Sequence, residues 1–418
     1  MTILQINEVC GRGSTGTTTL SIGQALEEQG HESYVAYGHG TCSHPNTFKI
    51  GYNWEDKLHA LLFTRILGLH GFGSYFGTKR LLRKMEEIRP DIIHLRNLHC
   101  NYLNYPLLYR YIIKHQIPVV MTLHDCYNFT GQCEHYVAAG CERWKTECHN
   151  CPLRGKTIAQ SWLLDNSRYL YNKKKKWYSL LKKMAIFGVS GWLKGEASQS
   201  ILAGNGHIVD YIYNWIDTDV FRPASEDEKA ATMQKYGLSA DCKYIVAVGA
   251  GWSNATTRYE DAVKLAESLP EGYKLLVVGG LSGDTTFPDM IKHIGYTESP
   301  KELAAIYSVA EAYVHFSLAD TFGKVIAEAM ACGATPIVYD TTACPEVTGG
   351  LGFVVGVRDI PAMVECIRKI DNSADHRDAL TQYVKDNYSK DVNIQKYIDI
   401  YKELSASLAH HRKQHREI

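Results

Sequence analysis

The sequence predicts an α/β protein made of two doubly wound domains, each built on a parallel sheet. Short apolar runs of strand length alternate with helix-length segments through the first half of the chain, as in parallel sheets whose strands are joined by helices. The alternation starts again after a polar stretch at 221–239, where we expect the linker. The length of 418 residues fits two domains of roughly 200 residues each.

The first half opens with a strand, a glycine-rich loop and a helix. The apolar strand covers 3–6 and the helix ends at Gly30. Such a turn presents backbone N–H groups to an anion, although a merely tight turn has the same sequence. The loop contains Gly13, Ser14, Thr15 and Gly16, and further strands are predicted at 91–95, 117–123, 185–189 and 208–213.

Histidines stand at the ends of two of these strands. Ligands of a doubly wound sheet bind at the carboxyl ends of its strands. His124 follows the strand at 117–123, and His94, Asn97 and His99 lie at the end of the strand at 91–95 and just after it. These four residues are therefore candidate binding residues, and the alternative for each histidine is a satisfied structural position.

The second half repeats the pattern of strands and helices. Its last segment is an amphipathic helix at 391–408. The other predicted elements are helices at 259–269 and 301–309 and strands at 244–248, 274–278, 312–316, 336–339 and 352–355.

The most informative stretch is 317–336, directly after the strand at 312–316. Its apolar residues recur at helical spacing, so Asp320 lies in the loop before a helix and Glu328 on its second or third turn. The backbone N–H groups of Thr321, Phe322 and Gly323 then point out of the helix N-terminus. That end of a helix suits phosphate groups or sugar hydroxyls.

Glu328 lies on the polar face of this predicted helix. An ionised carboxylate accepts two hydrogen bonds, which matches a vicinal diol such as a ribose. The alternative is an ordinary exposed pair between Lys324 and Glu328, worth at most roughly 0.5 kcal/mol.

Composition excludes several classes of function. Lys plus Arg and Asp plus Glu both number 45, so the net charge is zero and gives no reason to expect a nucleic-acid partner. The N-terminus is too short and polar for a signal peptide, and no apolar run approaches the ~20 residues of a membrane span. We therefore expect a cytoplasmic protein.

The stretch at 317–336 resembles the signature of retaining glycosyltransferases of family 4. Asp320 and Glu328 correspond to the two acids of its E-x7-E motif, with Asp in place of the first Glu and Thr321 in place of the usual Gly. The loop at 13–16 and the phrase at 122–125 also resemble this family, as found in bacterial enzymes of colanic-acid type. The resemblance implies a GT-B fold with Rossmann-like domains at 1–221 and 222–390, and a segment at 391–418 holding a helix that crosses back to the N-terminal domain and a basic tail.

The resemblance also implies roles for individual residues. His124, Asp320 and Glu328 are the implied catalytic residues, and His94, Asn97 and His99 form the acceptor side. Relatives steady the diphosphate with an Arg and a Lys that are missing at those places, so the role passes to Arg258 and Lys324. The implied donor-binding residues are Gly13, Ser14, Thr15, Gly16, Arg258, Tyr296, Thr321, Phe322, Gly323, Lys324 and Glu328.

The implied reaction is transfer of a sugar, with retention, from a UDP- or GDP-sugar. The acceptor is a hydroxyl of a saccharide or polyprenyl-linked saccharide in the synthesis of a bacterial capsule or exopolysaccharide, and no catalytic metal is expected. The alternatives are a sugar-nucleotide epimerase of the same fold and a non-catalytic partner that binds sugar nucleotides.

Basic and aromatic residues are interleaved at 166–184. The segment contains Lys173 to Lys176 followed by Trp177 and Tyr178. It is either a solvated helix face or a surface that rests on an anionic membrane. In the second case the protein is peripheral at the inner face of the membrane.

Five of the twelve cysteines lie in one polar loop at 126–155. A C-x2-C pair ends this loop, and its spacing lets two thiolates share one ion, which the preceding pair could complete to a tetrahedron. The alternatives are a structural zinc, a labile disulfide and thiols without a ligand, with His135 and His149 as substitutes for a thiol. The four candidate ligands are Cys133, Cys141, Cys148 and Cys151, which leaves Cys126 spare.

Overall fold

A computed structural model describes residues 1–157 and 161–414, with side chains as far as Ala406. The chain forms two compact units. Unit 1 comprises Met1–Ile212 together with the segment from Ile394 onward, and unit 2 comprises Tyr213–Asn393. The first boundary therefore falls at Ile212 rather than at Phe221, and the last residues of the predicted tail, 415–418, lie outside the described residues.

Unit 1 contains a seven-stranded parallel sheet in the order β3-β2-β1-β4-β5-β6-β7. Every residue of β4, β5 and β6 is buried, as expected for central strands covered by helices on both faces. The short edge strand β3 is absent from the sequence prediction. The strands are β1 (Thr2–Val9), β2 (Glu32–His39), β3 (Thr47–Lys49), β4 (Ile92–Leu95), β5 (Val119–Leu123), β6 (Met184–Gly188) and β7 (Ile208–Tyr211).

The helices of unit 1 join these strands. A π-helix at His59–Ile66 continues directly from the helix at Asn53–Leu58. The helices are α1 (Gly13–Glu28), α2 (Asn53–Leu58), α3 (Tyr75–Ile88), α4 (Tyr105–His115), α5 (Ser167–Leu180) and α6 (Gly191–Ser198).

Unit 2 contains a six-stranded parallel sheet in the order β10-β9-β8-β11-β12-β13, so the prediction of two α/β sheets is confirmed. The sequence did not indicate the edge strand β10. The strands are β8 (Lys243–Trp252), β9 (Tyr273–Leu281), β10 (Ile291–Ile294), β11 (Ala312–His315), β12 (Thr335–Tyr339) and β13 (Phe353–Val355). The helices are α7 (Glu226–Tyr236), α8 (Thr257–Ser268), α9 (Pro300–Val309), α10 (Lys324–Ala331), α11 (Cys344–Val347), α12 (Ile360–Arg368) and α13 (Ala374–Tyr388).

The expectation of a linker at 221–239 is wrong, because most of this stretch is helix α7. Its N-terminus is a capping box in which the Ser225 side chain accepts from the Glu228 N–H and the Glu228 carboxylate accepts from the Ser225 N–H. Gly237 ends it in the left-handed conformation. The Ser-x-x-Glu spacing was visible in the sequence and is the signal that could have identified the helix.

The last helix, α14 (Lys390–Gln414), returns the chain to unit 1. The Tyr397 hydroxyl lies 2.8 Å from Thr122 Oγ1 at the end of β5, and the Tyr401 hydroxyl lies 2.7 Å from His94 Nδ1 on β4. Two buried tyrosines thus attach this helix to the central strands of unit 1. Among the described helices, none combines the length and apolar character needed to cross a bilayer.

Candidate functional site

A cleft of about 180 Å³ lies at the carboxyl ends of β8 and β11 in unit 2. This is the edge at which doubly wound sheets bind ligands. Its polar lining comes from four side chains and the backbone of two small residues. These are Arg258, His315, Ser317 and Asp320, with Gly249 and Ala250.

A β-bulge shapes one wall of the cleft. The register between β8 and β9 shifts between Val248 and Gly251, which leaves Gly249 and Ala250 out of the regular ladder. A Cβ atom on Gly249 would lie 2.6 Å from Arg258 Nη1, so the guanidinium occupies space that a side chain at 249 would fill. The guanidinium also lies 5.7 Å from the ring centre of Trp252. Arg258, predicted to hold the diphosphate, therefore lines the cleft.

Asp320 ends a chain of hydrogen bonds that the sequence prediction missed. Its Oδ2 lies 2.5 Å from His315 Nε2, and His315 Nδ1 lies 2.7 Å from the Tyr313 hydroxyl. Burial works to raise the pKa of Asp320, but His315, Ser317 and Arg258 hold it below its usual value, so the carboxylate is ionised. Tyr313 and His315 are two residues apart on β11 and share a face, and this spacing ahead of an acid was the available signal.

Helix α10 begins after Gly323, as the sequence predicted. Gly323 has φ +81°, and an added Cβ would lie 2.8 Å from Ile326, so backbone conformation and local packing already require glycine here. The Phe322 side chain is buried against Tyr213 and Tyr388 and cannot contact a ligand. At 322 and 323 only the backbone remains available for the predicted donor contacts, while Thr321 is half-buried.

Glu328 and Lys324 lie on α10, and both are half-buried. They are therefore not an ordinary exposed pair. Burial raises the pKa of Glu328, and the Lys324 ammonium acts in the opposite direction. Burial lowers the pKa of Lys324, against the charges of Glu328 and Asp217. A carboxylate that has lost much of its water gains more from two ligand hydroxyls than an exposed one would.

Tyr296 reaches the same bulge from the loop after β10. Its hydroxyl donates to the Ala250 carbonyl, its ring crosses Gly280, and 73% of the residue is exposed. Tyr296, one of the implied donor-binding residues, therefore borders the cleft of unit 2.

The glycine-rich loop lies in unit 1, where α1 starts at Gly13. Gly13 and Ser14 are exposed, Thr15 is half-buried and Gly16 is buried against Val9. The turn closes with a 3.0 Å hydrogen bond from the Gly11 N–H to the Gly16 carbonyl. The first N–H groups of this 16-residue helix, which have no partner within the helix, thus lie beside exposed small residues.

Arg96, which the sequence prediction omitted, fixes His124. One guanidinium nitrogen, Nη2, donates to Thr18 Oγ1 at 2.8 Å and to His124 Nε2 at 3.0 Å. Arginine has no acceptor atom, so His124 Nε2 must accept and the imidazole carries its proton on Nδ1. Arg96 is 1% exposed, and its Nε and Nη1 have no hydrogen-bond partner among the described residues. Burial lowers the pKa of its guanidinium.

His94 is buried, and both of its ring nitrogens are used by the protein. Nε2 lies 2.8 Å from Thr122 Oγ1, and Nδ1 takes the hydroxyl of Tyr401. This corrects the acceptor-side assignment of His94, because the imidazole supports α14 and offers no nitrogen to a ligand. Asn97 is half-buried, and its backbone N–H and carbonyl are bonded to Asn7 and Tyr102.

His99 forms a buried ion pair with Asp125, with His99 Nε2 2.7 Å from Asp125 Oδ2. Burial alone would lower the pKa of His99, but the carboxylate raises it well above 6.5. Asp125 is likewise held below its usual pKa by His99, against the effect of burial. His99 is therefore a charged structural group. Its Nε2 is paired with Asp125, so it does not provide the predicted contact with an acceptor.

The cysteine-rich loop packs more tightly than its polar sequence suggests. Phe129, Tyr136 and Trp144 bury their rings together, with centroids 5.0 Å apart between Trp144 and each of the other two. Lys174 of α5 is buried beneath the loop and donates to the carbonyl of Tyr127 at 2.6 Å. The expectation of a fully solvated face on this helix is therefore wrong at Lys174.

Among the described residues, two groups of three potential metal ligands have their ligand atoms within 4.8 Å of one another, and neither lies in that loop. One is Glu8, His99 and Cys100 in unit 1, and the other is His315, Asp320 and Cys344 in unit 2. In each group the histidine is hydrogen-bonded to a neighbouring acid or thiol, and this accounts for the proximity without an ion.

Two family models match the chain, one in each half. The model described as Glycosyltransferase Family 4 matches residues 15–220, and the model described as Glycosyl transferases group 1 matches residues 228–387.

Curated relatives match about a third of the chain. A putative colanic acid biosynthesis glycosyl transferase, WcaC of Escherichia coli K12, is 30% identical over 165 residues, which cover 36% of this chain and 40% of the relative. D-inositol 3-phosphate glycosyltransferase of Mycobacteroides abscessus is 32% identical over 160 residues, covering 35% of this chain and 34% of that protein. The matched region thus spans less than half of either relative.

Solved structures match almost the whole chain at low identity. A glycosyltransferase from Rickettsia africae has a TM-score of 0.67 at 15% identity, covering 96% of this chain and 98% of that one. HepE from Anabaena in complex with UDP-glucose has a TM-score of 0.61 at 13% identity, with coverage of 96% and 100%. At these identities the likeness establishes the GT-B fold.

Proposed function

Because this chain belongs to the glycosyltransferases of family 4 and group 1, we propose that it transfers a sugar from a nucleotide-sugar donor to a hydroxyl of a saccharide or lipid-linked saccharide. The observation that carries the donor assignment is the cleft of unit 2. Arg258 supplies a cation and Tyr296 borders the opening, and α10, whose Val325 lines the cleft, carries the partly desolvated Glu328. A diphosphate, a base and a ribose diol are the ligand groups that such a set recognises.

The proposed reaction retains the configuration of the anomeric carbon. The acceptor oxygen bonds to that carbon as the bond to the leaving phosphate oxygen breaks, and the acceptor proton passes to the leaving phosphate. The transition state resembles an oxocarbenium ion beside a diphosphate, so stabilising the diphosphate is the main task of the protein. In unit 2 we assign this task to Arg258, Lys324 and the N–H groups at the start of α10. His124, held by Arg96, serves the donor sugar.

Mass analysis of donors incubated with and without acceptor tests the function. UDP- and GDP-sugars are first screened by thermal shift, since a ligand at ~100 times its dissociation constant stabilises a fold by about 2.7 kcal/mol. If the protein is a transferase, a product should form only when an acceptor is present. NMR of that product then reports the anomeric configuration. A new sugar nucleotide formed without acceptor would establish the epimerase instead, and binding without turnover of any acceptor would support the non-catalytic partner.

HepE is described with UDP-glucose and WcaC with colanic acid biosynthesis. We therefore propose a UDP-sugar donor as the first to test and a bacterial surface polysaccharide as the product. A GDP-sugar that stabilises the protein more than the matching UDP-sugar would reverse the order.

We also infer that unit 1 contacts a membrane that carries anionic lipid. Between residues 52 and 76 it exposes seven large apolar side chains, and Trp54, Leu61 and Phe76 are each more than half exposed. The rings of Trp54 and Phe76 lie 6.4 Å apart, while Lys79 lies over Tyr75. Exposed aromatic side chains flanked by cations suit the interface of an anionic bilayer. The seven residues are Tyr52, Trp54, Leu58, Leu61, Leu62, Tyr75 and Phe76.

Vesicle sedimentation tests this contact. Protein should pellet with vesicles that contain phosphatidylglycerol and much less with pure phosphatidylcholine. The Trp54→Glu variant should lose this binding, whereas Val357→Glu in unit 2, at a similarly exposed apolar residue, should keep it. Equal binding by both variants would reject the assigned surface.

A further inference from the structure

The cysteine-rich loop of unit 1 carries four thiols, two of which lie side by side without a disulfide. Cys133 and Cys151, 18 positions apart, have their sulfur atoms 3.8 Å apart, and no disulfide joins the described cysteines. Cys148 Sγ accepts from the Gly131 N–H in the same loop, and Cys141 lies between Cys133 and Cys148 in the chain. One pair of the four predicted ligands is thus at ligand distance, and the other two lie in the same folded loop.

The separation of Cys133 and Cys151 matches two ligands of one tetrahedral ion. A Zn–S bond is about 2.3 Å long, so the edge of a ZnS4 tetrahedron is about 3.8 Å. A disulfide would require the sulfur atoms to approach to about 2.05 Å. The observed spacing therefore fits a shared ion or a thiol–thiol hydrogen bond and does not fit a bridge.

A backbone N–H beside the thiols donates to one of the sulfur atoms. The Gly131 N–H donates to Cys148 Sγ at 3.2 Å. Gly131 also permits the approach, since an added Cβ would meet Cys148 Cβ at 3.1 Å and come within 2.5 Å of the Ser167 carbonyl. The Cys151 N–H is in turn fixed by Asp165 Oδ2 at 2.7 Å. A hydrogen bond from an amide to a metal-bound sulfur is the outer-shell contact that orients such ligands.

A buried ammonium group lies beside the cluster. Lys174 donates to the carbonyls of Tyr127, Thr130 and Gly131, so it holds the same turn that donates to Cys148. Carbonyls bring no net charge, and anions close to a buried ammonium favour its charged form. Zinc bound by four thiolates has a net charge of −2 and would add to the nearby carboxylates of Asp125 and Glu134.

We propose that Cys133, Cys141, Cys148 and Cys151 bind one structural zinc ion. Four protein ligands leave no open position, so the ion orders the loop and takes no part in chemistry. The loop starts at Cys126, immediately after Asp125, the partner of His99, and two residues after His124. Zinc thereby stabilises the segment that follows β5.

Metal analysis of the full chain, purified under reducing conditions without chelator, tests the proposal. We expect about one zinc per chain, and we expect Cys148→Ser and Cys151→Ser to lose it. Cys126→Ala is the matched control, because Cys126 is buried in the same loop but lies outside the cluster, so it should keep the zinc. Iron in place of zinc, a disulfide detected by mass, or a metal-free protein would each overturn the proposal.

A second measurement covers the case in which the serine variants fail to fold. Zinc is removed from the unmodified protein with a chelator and replaced by cobalt, whose visible spectrum reports tetrahedral thiolate ligation. Hydrogen exchange of peptides from 131–151 should speed up on removal of zinc, while peptides from β8 and β9 should stay protected. Unchanged exchange in the loop, or a cobalt spectrum of octahedral type, would contradict the assignment.

Discussion

Replacing Arg96 by methionine should separate activity from stability. The guanidinium is buried, and two of its nitrogens lack a partner among the described residues. Removing it relieves a desolvation cost of several kcal/mol for a buried ion. The change also removes hydrogen bonds to Thr18 and His124, each worth about 1.5–3 kcal/mol because the donor is charged. These terms offset each other, so the free energy of unfolding should change by no more than about 2 kcal/mol.

Activity should fall more sharply. Without Arg96, His124 Nε2 loses the donor that selects its tautomer. If the interaction with the donor sugar needs the proton on Nδ1, losing about 1.5–3 kcal/mol of orientation lowers turnover roughly 10- to 100-fold. The effect should lie in kcat rather than in the affinity for the nucleoside diphosphate.

The assay combines steady-state kinetics, urea denaturation and 15N NMR of the His124 ring. The NMR shifts should show one tautomer in the wild type and a mixture in Arg96→Met. Thr18→Val is the matched control, because it removes the other bond of Nη2 and leaves His124 in place. Wild-type turnover in Arg96→Met, or a loss of turnover with unchanged ring shifts, would refute this reasoning.

Three further outcomes follow from the site and its surroundings. Glu328→Gln should weaken nucleoside diphosphate binding about 10- to 100-fold in calorimetry, because a charge-assisted hydrogen bond is worth about 1.5–3 kcal/mol; unchanged affinity would remove Glu328 from the donor site. Gly249→Ala should weaken the same binding at an unchanged melting temperature by displacing the guanidinium beside it, whereas Gly251→Ala, whose Cβ would meet only a side-chain oxygen at 3.8 Å, should not. The His99–Asp125 pair should stop stabilising the fold as pH rises through the raised pKa of His99, above 6.5. It should also stop as pH falls through the lowered pKa of Asp125, below 3.8. The melting temperature of Asp125→Asn should therefore depend less on pH than that of the wild type at both ends.

The sequence was most informative where a pattern is local. The strand, loop and helix around Asp320 depend on neighbours within a few residues, and α10 begins where the spacing predicted. The two sheets followed from the same kind of pattern, because buried parallel strands are continuous apolar runs.

Contacts between distant residues were beyond the sequence. The burial of Lys174 depends on carbonyls of the loop 43–47 positions earlier, and His94 depends on Tyr401 from the last helix. Polarity alone places a lysine on a surface and a histidine in a site. Only the folded chain supplies the partners that make both of them structural.

The path of α14 also bears on how the protein is made. Unit 2 is one continuous stretch, whereas unit 1 requires both the beginning and the end of the chain. Domains generally fold as units during synthesis, the N-terminal one first. Here the nascent seven-stranded sheet leaves the ribosome about two hundred residues before Tyr397 and Tyr401 can cover Thr122 and His94. Unit 2 can therefore be complete while the sheet that was synthesised first still exposes a buried face to chaperones, and translation of the final helix ends that exposure.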